Sequence, residues 1–196
     1  ELAGTLYGDD DGDGVPNVVE YGRQTDPADA ASVPVKATSR GRVQLSNGLL
    51  YLDSAEFAIR GVRYQPLLPG EEAGDPAQFT ESRTRDVLPR VAELGANTVM
   101  TADRMVGNDV MAACAEQNIK VILGYPVPSD ADLTDPAVTA ALTEDFAGYV
   151  ERYKDEPALL MWCIGDASRN SPEWYQLLSL LAWTAREVEG DIYHPV

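Results

Sequence analysis

The sequence predicts an α/β fold: four strand-helix units in series, preceded by a β-hairpin and an acidic N-terminal loop. Three observations predict it. From Phe57 onward, apolar runs of strand length alternate with stretches whose apolar residues recur at helical spacing. Asn47-Gly48, a dipeptide in which both residues accept positive φ, separates two short segments of strand character. Residues 9–20, DDDGDGVPNVVE, place oxygen donors at alternate positions around Gly14.

Composition sets the outer bounds. A chain of 196 residues can bury a core and is expected to hold a main domain plus a small appendage. Asp and Glu outnumber Lys and Arg by 32 to 15, a net charge of −17. Such a surface repels nucleic acid and anionic membranes, so neither is an expected partner. A well-hydrated surface accounts for the acidity more simply than a dedicated cationic partner does. No run approaches the roughly 18–20 apolar residues that span a bilayer, so no membrane insertion is expected. No secretory signal is recognisable, and a secreted form would already have lost one. Cys114 and Cys163 fall in a predicted helix and a predicted strand, away from metal-ligand spacing, and read as two buried thiols rather than a disulfide.

The first element in chain order is the acidic loop. DDDGDGVPNVVE fits the pattern D-x-[DN]-x-[DN]-G-x5-E without a mismatch. Calcium takes about six to eight oxygens, and alternate residues of a tight loop aim their side chains inward to supply them. Asp9, Asp11 and Asp13 are the expected side-chain ligands, Val15 offers its carbonyl, Asn17 acts directly or through water, and Glu20 binds bidentately. The alternative is a solvated acidic turn capping a short helix from Asn17, but so many like charges repel unless a cation joins them. The stretch DDDGDGVPNVVEYGRQTDPADA resembles thrombospondin type 3 repeats and related EF-hand-like loops over residues 8–30, with one repeat present. The resemblance implies that Asp26 or Asp29 completes the shell. Weak sites of this kind need millimolar calcium, which implies an extracellular setting.

Residues 1–30 are therefore read as a calcium-binding module, 31–42 as a linker without apolar periodicity, and 43–196 as the main domain. RVQLS and LLYLD form the predicted hairpin around Asn47-Gly48. FAIRGVRYQ, ANTVMTA, IKVILGYPV and ALLMWCIGD are the predicted strands, mostly apolar throughout, as in a parallel sheet buried on both faces. RDVLPRVAELG, NDVMAACAEQN and DPAVTAALTEDFAGYVERYKD are the helices between them, with Asn108 or Asp135 as N-caps. Ser171-Pro172 opens a fourth helix that reaches about Glu189.

FAIRGVRYQP, RDVLPRVAELGANTV and YKDEPALLMWCIGD resemble the first, second and fourth strand regions of retaining glycoside hydrolases on TIM barrels, the β-galactosidase and cellulase-like families. The terminal HPV is similar to that family's approach to a fifth strand. The likeness covers residues 43–196 and implies four of the eight units of a (β/α)8 barrel, so the fold expected is half a barrel. In the family the fourth strand ends in W-x-x-G-N-E, whose Glu is the acid/base. Here Trp162 and Gly165 match, Asp166 takes the Asn place, and Ala167 stands where the Glu belongs. Met100 likewise stands where the family carries an Arg after Asn97-Thr98. Retaining hydrolysis needs two carboxylates roughly 5–5.5 Å apart, and the family's second comes from its seventh strand. The resemblance therefore implies a catalytically degenerate scaffold, with no catalytic residue assigned.

Other candidates are weaker. Asp166 as a displaced acid follows the wrong backbone position, Ser168 has no nearby base, and His194, the single histidine, reads as part of the strand approach. Tyr64, Gln65 and Tyr125 fall near strand C-termini, where a barrel presents residues to a sugar, so they are candidate glycan contacts. Packing into core or rim is the simpler reading of the two rings. Two function classes stay open. The favoured one is a secreted, calcium-stabilised structural or assembly module that self-associates through its open strand edges. The other is the front of a longer glycoside hydrolase or a carbohydrate-binding protein.

Overall fold

The computed structural model describes residues 10–12, 17, 27–31, 43–67, 69–71, 79–101, 103–104, 108–165, 169–190 and 194–196. A three-stranded antiparallel meander comes first, formed by β1 (Val43–Ser46), β2 (Leu49–Leu52) and β3 (Ala55–Glu56). Asn47 and Gly48 turn the first hairpin with φ of 52° and 76°, as the dipeptide predicts. A second left-handed pair, Asp53 and Ser54 at 51° and 68°, returns the chain into β3.

A four-stranded parallel sheet follows in the order β4 (Gly61–Tyr64), β5 (Thr98–Thr101), β6 (Lys120–Tyr125) and β7 (Leu159–Ile164). The helices are α1 (Glu81–Glu93), α2 (Asn108–Glu116), α3 (Pro136–Tyr153) and α4 (Pro172–Glu189). Sequential order in a parallel sheet with a helix at each crossover is the singly wound arrangement, without the reversal of strand order that marks doubly wound folds. β4 is shorter than the apolar run suggests. Residues ahead of it are held by a side chain: the Arg60 amide donates to Asn97 Oδ1 at 2.8 Å, and Asn97 Nδ2 donates to the Ala58 carbonyl at 2.9 Å. Helix α1 starts at Glu81 rather than Arg85, because the Thr80 hydroxyl accepts the Arg83 amide as an N-cap. Asp135 and Ser171 cap α3 and α4 in the same way, each followed by proline in the first turn.

Strand parity divides the sheet into two faces. Val99, Val121, Leu123, Tyr125 and Trp162 turn toward the helices and are fully buried with Leu88, Phe146, Tyr149, Leu177 and Leu181. Across the opposite, inner face, Arg63, Met100, Ile122 and Met161 stand in one register row. Arg63 is exposed and the other three are half-buried. An irregularity between Val121 and Ile122 leaves Leu160 as the extra residue of β7. The Trp162 amide of β7 also donates to the Pro195 carbonyl at 2.9 Å.

Candidate functional site at the strand tips

The C-terminal ends of β4 to β7 bring Gln65, Asp103, Tyr125 and Gly165 to one end of the parallel sheet. Gln65 Nε2 donates to Asp103 Oδ2 at 2.7 Å, tying the first two tips together. Asp103 follows β5 and was not singled out in the sequence, since one acid after a strand carries no local signal.

Tyr64 and Tyr125 have the parity of the helix-facing set, and both rings are buried, at 5% and 2% exposure. The Tyr64 hydroxyl bonds to Thr84 Oγ1 of α1 at 3.0 Å, and burial pushes its phenol upward in pKa, partly opposed by that bond. Tyr125 donates to Asp145 Oδ2 at 2.7 Å, and burial followed by that carboxylate also raises its phenol. Arg104 reaches the same Asp145 oxygen at 2.6 Å and lies over the rings of Tyr149 and Tyr125, 4.9 and 5.6 Å from their centroids. These rings therefore pin the loop after β5 to α3. The packing alternative is the one that their burial supports, and of the three candidate glycan contacts Gln65 alone keeps a half-buried place at a tip.

At the fourth tip, Gly165 takes φ of +65° and its amide donates to the Tyr125 carbonyl at 2.8 Å. A Cβ there would lie 2.3 Å from Trp174 Cη2, so the indole of α4 occupies the space behind the tip. Arg169 holds the loop after β6 by donating to the carbonyls of Pro128 at 2.7 Å, Ala131 at 3.3 Å and Ser129. Asp166, Ala167 and Ser168 lie outside the described residues. Cys163 is half-buried on the inner face and burial raises its thiol pKa, while that of Cys114, on the buried side of α2, is pushed up to about 12. Burial thus favours the protonated thiol at both positions, the less nucleophilic form. The two stand as free thiols, as expected, although Cys163 is less buried than the sequence suggested.

Of the calcium loop, Asp11 and Asn17 are described, while Asp9, Asp13, Val15 and Glu20 lie outside the described residues, as does Asp26. Asn17 is fully buried and its Oδ1 accepts the Asp10 amide at 3.0 Å. Asp29 accepts the Ala31 amide at 3.0 Å in a local turn. Among the described residues no group of three or more His, Cys, Asp or Glu is placed to hold a metal ion. Among them, too, no helix is long and apolar enough to cross a membrane.

No protein-family model and no curated protein matches the chain. Solved structures do share its fold, and they are glycoside hydrolases. A β-glucuronidase from Ruminococcus gnavus superimposes with a TM-score of 0.62 at 13% identity, over 76% of this chain and 26% of its own. A GH2 β-galacturonidase from Eisenbergiella tayi gives 0.61 at 14% identity, over 80% and 27%. A β-D-mannosidase from Dictyoglomus thermophilum gives 0.56 at 15% identity, over 82% and 21%. The chain thus spans about a quarter of the length of these structures. At such identities the likeness concerns the fold.

Proposed function

We propose that the chain builds the first four strand-helix units of a glycoside-hydrolase-type (β/α)8 barrel, and that within it these units act as scaffold rather than as the source of the acid/base. One observation supports this reading best: the hydrogen bond from the Trp162 amide to the Pro195 carbonyl, which sets Pro195 beside β7 where a following strand of a barrel would pair. The half-buried row of Met100, Ile122 and Met161 supports it, since the inner face of a closed barrel is filled with side chains. Further units, in the same chain or in a second one, would cover that face. The scaffold role rests on sequence: Ala167 has no proton to transfer, and Met100 cannot orient a carboxylate. Activated aryl glycosides test it most severely, because good leaving groups need little acid assistance. No turnover is expected. Turnover that disappears in Asp166→Asn would overturn the reading.

A second element of the proposal is calcium binding by residues 9–20, supported by the spacing of oxygen donors around Gly14. The donors Asp9, Asp11, Asp13, Val15, Asn17 and Glu20 suit a hard cation. The weak affinity typical of such loops suits a calcium-rich setting outside the cell. Titration calorimetry should give a binding heat that is lost or greatly reduced in both Asp11→Ala and Glu20→Ala. Unchanged heats in the two variants would sink the assignment.

A further inference from the structure

Glu189 occupies the position where sequence rules would least place a carboxylate. It is the last residue of α4, where the helix dipole disfavours negative charge, and its side chain is 0% exposed. Burying a charge is costly unless hydrogen bonds replace the water it loses. Three such bonds converge on it from two other parts of the chain. Trp162 Nε1 of β7 donates to Oε1 at 2.8 Å, and the His194 amide donates to Oε2 at 2.7 Å. His194 Nδ1 lies 2.7 Å from Oε1, its ring only 5% exposed. With Glu189 ionised, the tautomer that carries its proton on Nδ1 makes this the third donor. One residue further on, Pro195 accepts the Trp162 amide at 2.9 Å.

We infer that Glu189 is a positioning residue: a buried latch that ties the segment after α4 to β7 and fixes the register in which the sheet's next strand begins. The carboxylate grips the indole of the strand already formed and the backbone of the segment about to pair with it. The Trp162 amide and the Pro195 carbonyl are thereby brought opposite each other. A one-residue slip of the segment would withdraw the His194 amide from Oε2 and reverse which face each following side chain meets. The helix end contributes a separate tie, since Lys154 Nζ donates to the Val188 carbonyl at 3.1 Å and pairs with Glu151 at 2.7 Å. That tie joins α3 to α4 and leaves the grip on β7 to Glu189.

The inference rests on reading residues 194–196 as the start of a strand, but its test reads one amide and is independent of turnover. Hydrogen exchange is followed by NMR on the intact chain and its Glu189→Gln variant, whose amide NH2 must confront one of the donors. The Trp162 amide should exchange at least tenfold faster, while the Val121 amide, which donates to Ala158 at 2.8 Å elsewhere in the sheet, keeps its protection. If Glu189→Gln does not fold, His194→Ala serves in its place: it removes the ring contact, keeps the backbone donor, and should give the same selective acceleration, several-fold in size. Unchanged protection at Trp162, or equal acceleration at Trp162 and Val121, would overturn the latch.

Discussion

Gly165 meets two demands that no other residue meets together. Its φ of +65° lies in the left-handed region, and the position its Cβ would take is 2.3 Å from Cη2 and 2.5 Å from Cζ2 of Trp174. The indole has little freedom to move away. Trp174 is buried, its amide donates to the Ser171 N-cap at 3.2 Å, and the Arg169 guanidinium lies 5.6 Å from its ring centroid. Strain at positive φ adds to overpacking of a filled space, so Gly165→Ala should destabilise the fold by about 2–5 kcal/mol. Urea unfolding measures this. Measured in a Trp174→Leu background, the same substitution should cost less, since the smaller side chain removes the overpacking and leaves only the strain at positive φ. A loss below about 1 kcal/mol would mean that the tip relaxes freely.

At the scale of elements, much was legible because each signal is local. Asn47-Gly48 turns the hairpin, and Asp135 and Ser171 cap their helices through their own side chains. The apolar runs locate all four parallel strands. What escaped depends on partners remote in sequence. β4 shortens because Asn97, 39 positions from Ala58, takes over hydrogen bonds that a longer ladder would use. β3 escaped because Asp53-Ser54 is an uncommon pair for a left-handed turn. The glycan candidates show the limit of reading by position along a strand. Tyr64 and Tyr125 were placed correctly at strand ends, yet they share parity with Val62, Val121 and Leu123, and that parity turns them toward the helices. Glu189 carried no signal at all, since its three donors come together only when β7 and residues 194–196 are assembled. The loop at residues 9–20 was legible as a pattern, and its chemistry is part of the proposal.

At the scale of the whole molecule, two opposing quantities govern self-association. One is the half-buried inner face of the sheet, together with the edge of β4 that pairs with no other strand among the described residues. Removing apolar surface from water is worth roughly 25 cal/mol per Å², and unpaired strand edges add a directional attraction. The other is a net charge of −17 on every copy, which repels a second copy over the Debye length. That length is about 30 Å at 0.01 M salt and about 10 Å at 0.1 M, so repulsion spans much of the molecule in dilute buffer and little of it near physiological salt. The 196-residue chain, at micromolar concentration, should therefore be monomeric at low ionic strength and gain mass in light scattering as salt is raised. If the proposed calcium binding holds, calcium should shift the onset to lower salt, because the bound ion removes part of the charge that opposes contact. A monomer at every salt and calcium concentration would defeat the apolar-face mechanism. Association that weakens as salt rises would defeat it as well, since it would mark a charge-driven contact made elsewhere on the surface.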